Sequence, residues 1–210
     1  MLARGLWETL YMTLVSTALA YLLGLPLGIL LVVTGRDGLH PLRVFHSGLG
    51  LFVNLARSIP FLILLIAVLP FTRLVIGTTI GSTATIVPLV LGAAPFIARL
   101  VESSLGEVDK GAVEAAKSMG ASPSQIIGKV LLPEARPSLL LGAAIALTTI
   151  LGYSAMAGIV GGGGLGDIAI RYGYYRYQRD TMLITVAVLV VIVQIFQEFG
   201  AKVAKLTDKR

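Results

Sequence analysis

The chain has 210 residues, of which 56% are hydrophobic and 13% are charged, and its mean hydropathy is +0.88. Soluble domains carry about 25% charged residues because their surfaces must be hydrated. This composition therefore excludes an ordinary soluble domain and indicates a membrane protein. The formal net charge of +6 is spread between apolar stretches, which is typical of membrane boundaries and not of a nucleic-acid-binding patch.

Five apolar stretches approach the length of about 20 residues that a helix needs to cross a membrane. In chain order, the predicted spans cover residues 9–35, 54–72, 76–98, 137–160 and 181–198. The first is too long for the apolar core of a signal peptide, so we expect it to be retained. The second reaches spanning length only if Asn54 to Arg57 belong to it, with the Arg57 side chain extending to the interface. The sequence thus predicts an all-α integral membrane protein with about five transmembrane helices.

The distribution of basic residues predicts the orientation of these spans. An odd number of spans puts the two termini on opposite sides of the membrane. Twelve of the 17 lysines and arginines then lie on the side of the first loop, the third loop and the C-terminus. Since basic loops stay in the cytoplasm, we expect the N-terminus outside and the C-terminus inside.

The third loop, residues 99–136, has the signals of two short helices joined by a tight turn. Asp109 is a good N-cap for the first helix, and Gly120 supplies the left-handed residue that ends it. Ser122, Pro123 and Gln125 then form a capping box that starts the second helix. We expect a compact protrusion on the cytoplasmic face, or an amphipathic connector that lies on the membrane surface.

This loop also carries a motif at a defined spacing. It reads Glu-Ala-Ala at 114–116, three residues, Gly120, nine residues, then Val-Leu-Leu-Pro at 130–133. The pattern resembles the EAA loop of ABC importer permeases, with valine in place of the usual isoleucine. The resemblance implies a type I ABC importer permease fold, in which the loop forms a coupling helix that sits in a groove of the ATP-hydrolysing subunit. The residues to which it assigns ATPase coupling are Glu114, Ala115, Ala116, Ser118, Met119, Gly120, Ala121, Leu132 and Pro133.

The chain shows no energy source of its own. The predicted spans contain no charged residue apart from Arg57 and the boundary residue Glu198, whereas an ion-coupled carrier usually keeps ionisable groups within its spans. The phosphate-binding pattern GxxxxGK[ST] is absent. Gly161, Gly163 and Gly166 satisfy G-x-G-x-x-G, but they follow a long apolar run and more plausibly end the fourth span. We therefore expect a transporter subunit and not an enzyme, with no cofactor or metal of its own and with ATP and Mg²⁺ bound by a partner.

Other segments extend the resemblance to permeases of bacterial methionine ABC importers over nearly the whole chain. These segments are residues 6–10, 57–61, 70–73, 92–99, 152–156 and 163–166. The resemblance implies a bacterial inner-membrane complex that imports D- or L-methionine. Its implied partners are a second copy of the chain, two ATPase subunits, an external methionine-binding lipoprotein and the surrounding lipid. Another amino acid or a small peptide as cargo remains an alternative, as does a scaffold that holds an ATPase without transporting anything.

Two further groups of residues are candidate contacts. Tyr153, Ser154 and Met156 are candidates for the translocation path between two copies, although side chains of this kind also serve simply as helix packing. An outer group is either a landing surface for the binding protein or an interfacial aromatic belt. We call it the outer tyrosine patch, and it consists of Tyr172, Tyr174, Tyr175 and Arg176.

Overall fold

A computed structural model of the protein describes residues 1–207 and confirms an all-α fold, with ten α-helices in this range. They are α1 (Leu2–Thr34), α2 (Arg43–Ser58), α3 (Phe61–Ile76), α4 (Ser82–Gly106), α5 (Lys110–Ser118), α6 (Pro123–Ile126), α7 (Leu132–Glu134), α8 (Arg136–Ala157), α9 (Gly164–Ile168) and α10 (Arg179–Thr207). Irregular helical turns follow α6 (Ile127–Leu131), α8 (Gly158–Val160) and α9 (Ala169–Tyr174). Lys209 and Arg210, counted among the cytoplasmic basic residues, lie outside the described range.

Four helices are individually long and apolar enough to cross a membrane: α1, α4, α8 with its following turn, and α10. The second predicted span differs from the expectation of one helix over residues 54–72. The structure divides this range between α2 and α3, whose axes differ by 104°. Pro60 lacks a backbone N–H and disfavours helical geometry at Ile59, so the chain breaks there. A count of five spans therefore treats α2 and α3 as one broken span.

The third span also has other bounds than the predicted 76–98. It begins at Ser82 and runs two further turns past Ala98, to Gly106. This extension includes two charged residues that pair with each other. Arg99 pairs with Glu102 in the next turn and donates to the Gly50 carbonyl oxygen of α2 at 3.0 Å.

The most extensive helix pair in the described chain is α1 against α4. A stripe of small residues runs down the buried side of α1 at every fourth position: Ser16, Ala20, Gly24 and Gly28. Residues four apart share one face of a helix, and small side chains there let two membrane helices approach closely. The backbone oxygen of Ala94 lies against Gly24, and that of Ala98 lies against Gly28. We call this contact the α1–α4 seam.

The glycine-rich segment after α8 folds back against α1. The Glu8 carboxylate accepts the Gly164 N–H at 2.9 Å, and the Thr9 hydroxyl accepts the Leu165 N–H at 2.8 Å. Two side chains of α1 thus cap the first turn of α9. The glycines end the fourth span as expected, and the structure adds that they pack inside the bundle.

The α1–α4 seam predicts a strong effect of adding one methyl group. A Cβ at Gly28 would lie 2.6 Å from the Ala98 carbonyl oxygen, which is backbone and cannot rotate away. We expect Gly28→Ala to destabilise the protein by about 1–3 kcal/mol, measured as a lower unfolding temperature in detergent. Gly48→Ala is the matched control, because a Cβ there meets nothing within 4 Å. Equal unfolding temperatures for the two variants would contradict the close approach at the seam.

Candidate functional site

Helix α5 is fixed at its start by a side-chain cap. The Asp109 carboxylate accepts the N–H groups of Gly111 at 2.6 Å and of Ala112 at 3.3 Å. These are two of the first-turn donors that have no partner within a helix. The predicted N-cap is thereby confirmed, and α5 starts at the next residue, Lys110.

The turn between α5 and α6 follows the predicted signals. Gly120 adopts a φ of +77°, and its N–H donates to the Lys117 carbonyl oxygen at 2.9 Å. The capping box is present: the Ser122 N–H donates to the Gln125 side chain at 2.8 Å, and the Ser122 hydroxyl accepts from the Gln125 N–H. The two helices are therefore held at one angle by local hydrogen bonds.

The residues assigned to ATPase coupling divide into an outer and an inner set. Glu114, Ala115, Ser118, Met119, Gly120 and Pro133 are exposed, and Ala121 and Leu132 are half-buried. Met119 is 81% exposed, which is unusual for an apolar side chain at the tip of a protrusion. Within residues 1–207 the Glu114 carboxylate has no hydrogen bond or ion pair, so it is available to a partner molecule.

Ala116 corrects one expectation. It is 5% exposed and packs in the same cluster as Ile126 and Leu131, so it does not offer a small surface to a partner. Its carbonyl oxygen accepts the Ala121 N–H at 3.1 Å, across the turn. The small side chain allows α5 to pack on its own chain, and of the two alanines only Ala115 faces outward.

The loop between α1 and α2 contacts the first residue of α5 through an ion pair. Lys110 donates to the Asp37 carboxylate at 3.0 Å, and this ammonium group lowers the pKa of Asp37 below its usual value. The pair is exposed and contributes little to stability by itself. A cavity of about 550 Å³ separates the loop from α5, with Glu102 and Glu114 among its lining residues. Sequence reasoning missed this contact because its two residues are far apart in the chain and belong to no motif.

The three candidate path residues lie on α8 but face different ways. Tyr153 is half-buried and stacks on Phe61 of α3, with ring centroids 4.2 Å apart. Met156 is 46% exposed. Ser154 is 1% exposed and donates to the Leu151 carbonyl oxygen at 2.8 Å, so the expectation that it lines a path is wrong. Successive residues of a helix point about 100° apart, so Ser154 does not share the direction of Tyr153, and here its direction is the protein core.

The outer tyrosine patch lies on the turn after α9. Tyr174 and Tyr175 are 65% and 66% exposed, with their rings 5.3 Å apart in an edge-to-face arrangement. The Arg176 guanidinium lies 4.7 Å from the Tyr172 ring centroid. Tyr177, which the candidate set omits, is 87% exposed and has a φ of +55°. The patch is therefore exposed on the chain and held by contacts among its own side chains.

Known proteins resemble this chain over nearly all of its length. Residues 11–201 match the family described as binding-protein-dependent transport system inner membrane component. A probable D-methionine transport system permease protein of Vibrio cholerae is 52% identical over 210 residues, which cover 100% of this chain and 93% of the relative. A D-methionine transport system permease protein of Escherichia coli is 52% identical over 158 residues, covering 75% of this chain and 73% of the relative.

Solved structures agree with these relatives. A chain in inward-facing conformations of the MetNI methionine ABC transporter superposes with a TM-score of 0.98 at 48% identity, covering 99% of this chain and 96% of that one. A chain of an amino acid ABC transporter solved with histidines superposes with a TM-score of 0.79 at 20% identity, covering 97% and 92%. The second likeness establishes the fold alone.

The turn at Gly120 predicts a specific loss of coupling. A Cβ at this position meets nothing within 4 Å, so a substitution acts through backbone strain and not through a clash. We expect Gly120→Val to insert and fold normally but to retain less ATPase subunit on co-purification, because a β-branched residue resists the left-handed conformation. Gly106→Val, also in open space but without a positive φ, is the control. Normal ATPase recovery and normal coupled hydrolysis with Gly120→Val would refute the role of the turn.

Proposed function

The chain belongs to the family of binding-protein-dependent transport system inner membrane components, and we propose that it carries methionine through the membrane as the permease of an ABC importer. The identity of 52% to a D-methionine permease over the whole chain supports this cargo most directly. The chain is a transporter subunit and not an enzyme. Two copies of the chain would enclose the translocation path. The proposed substrate is D- or L-methionine.

We call the segment between α4 and α8, residues 107–135, the coupling loop. Its geometry supports a mechanism in which a partner outside the membrane moves the spans. Met119 and Gly120 form the exposed tip, and Glu114 offers an unpaired carboxylate beside it. ATP binding to two partner subunits would draw the two tips together and open the path outward. Hydrolysis would then release the tips and return the path to the inward-facing state.

The orientation is proposed from charge. Apart from Arg57, which lies within the span, eleven of the 17 lysines and arginines are on the side of the coupling loop in the five-span topology, and this excess supports a cytoplasmic location for that side. The N-terminus and the outer tyrosine patch then lie outside. This position suits the patch to dock an external methionine-binding lipoprotein, since exposed Tyr and Arg are common anchors in protein interfaces.

The cargo is tested by uptake of labelled methionine into cells that lack their own importers and express this chain with its ATPase and binding protein. We expect uptake that stops when the ATPase is disabled and that only methionine-like compounds inhibit. Assembly of the complex without methionine uptake would remove methionine as cargo and leave the permease role in place. Labelled dipeptides and other amino acids would then be tested in the same cells.

The outer tyrosine patch is tested by binding of the lipoprotein to the reconstituted permease–ATPase complex. We expect Tyr174→Ala combined with Tyr175→Ala to weaken binding by about 10-fold or more, since truncating an anchor residue costs over 1 kcal/mol. Tyr11→Ala, on the exposed face of α1, is the control. Unchanged affinity in the double variant would assign the patch to the membrane interface instead.

A further inference from the structure

The break between α2 and α3 lies at the middle of the neighbouring span. Phe61 contacts Gly92, which is the eleventh residue of the 25-residue helix α4. Ile59 and Pro60, between the two helices, are exposed on the chain. Non-helical backbone at this depth is stable only where it is buried in protein or lines a water-filled cavity. This face is therefore turned away from the lipid.

A cavity of about 270 Å³ opens at this break, between α3, α4 and α8. Its lining residues include Phe61, Phe96 and Tyr153, together with Arg57 from the end of α2. Sites for drug-sized ligands occupy about 300–1,000 Å³. The volume is therefore suited to a small ligand such as a single amino acid. We call it the Arg57 cavity.

The charge in this cavity is uncompensated. The Arg57 guanidinium lies 5.9 Å from the centre of the Phe96 ring, and Arg57 belongs to none of the ion pairs formed within residues 1–207. Arg99, one turn beyond Phe96 on α4, is by contrast paired and hydrogen-bonded. A cation inside a span is costly and is usually retained for binding or transport. The planar guanidinium matches a carboxylate with two parallel hydrogen bonds.

We propose that the Arg57 cavity is a methionine site within each permease copy, in which Arg57 binds the α-carboxylate and the Phe61–Tyr153 wall contacts the thioether. This inference rests on the proposed function. Sulfur makes favourable contacts at the edges of aromatic rings, and the stacked pair presents two such edges. The two ends of the amino acid thus meet two chemically different walls.

The test is binding of ³⁵S-labelled L-methionine to the purified permease–ATPase complex in neutral phosphatidylcholine nanodiscs, without the binding protein. We expect Arg57→Gln to weaken binding by roughly 10- to 100-fold, the range for loss of a hydrogen bond to a charged group. Arg57→Lys retains the charge but not the planar fork, so its loss is smaller. Arg73→Gln, at the far end of α3, is the matched control and leaves the affinity unchanged.

A competition experiment tests whether Arg57 binds the carboxylate end of the ligand. L-Methioninol has no carboxylate, so it competes much less well than methionine on the wild-type complex. On Arg57→Gln the two compounds compete equally. Tyr153→Leu weakens methionine binding by about 2- to 10-fold, whereas Tyr153→Phe, which keeps the stacked ring, does not.

The outcomes separate this inference from the proposed function. Wild-type methionine uptake, together with unchanged methionine binding by an intact Arg57→Gln complex, overturns the site and leaves the cargo established. Absence of saturable binding in a wild-type complex that transports methionine does the same. If Arg57→Gln changes only the response to added phosphatidylglycerol, Arg57 binds a lipid phosphate, and the inference is also wrong.

Discussion

Close approach of α1 and α4 is the constraint on which the rest of the structure depends. Lipid is as apolar as leucine, so burying hydrophobic surface gives no net drive for two helices to pair inside a membrane. Pairing instead requires dense contact, and the small residues from Ser16 to Gly28 permit it by bringing backbone against backbone. Once α4 is fixed by this seam, α2, α3 and α8 pack on its other faces. Each functional surface is then carried by an element that rests on α4 or follows it in the chain.

The sequence predicts the caps and turns of the coupling loop well. It predicts less well which face of α5 is buried and which face is exposed. Caps and turns depend on neighbouring residues, so Asp109, Gly120 and Ser122 could be assigned from the sequence alone. Whether Ala115 or Ala116 faces the partner depends on how α5 rolls against the remote Ile126 and Leu131. That rotation is a tertiary property, and no motif in the loop specifies it.

The broken second span shows that the sequence pattern can also miss the shape of a whole helical segment. Counting uncharged residues indicates where apolar chain lies but not whether it forms one helix. Pro60 is the signal of a break in this segment, because it has no backbone N–H to donate within a helix. The α1–α4 seam had a signal as well, since Gly24 and Gly28 form a small-xxx-small pattern that indicates a packing face.

The chain connects the coupling loop to the Arg57 cavity through two helices that flank both. Helix α4 ends where the loop begins and carries Phe96 about 15 Å before that end, at 1.5 Å per residue. Helix α8 begins where the loop ends and carries Tyr153 about 26 Å further on. Near the loop the two helices are joined by a hydrogen bond of 3.0 Å between Ser138 and Ser104. The two helices are therefore linked at the base of the loop, and they carry two walls of the cavity, whereas the third wall, Phe61, lies on α3. The break at Pro60 joins α3 to α2 and not to this pair, whereas Phe61 itself contacts Gly92 of α4 and stacks on Tyr153 of α8. The wall that α3 contributes is therefore packed directly on the two helices that lead to the loop.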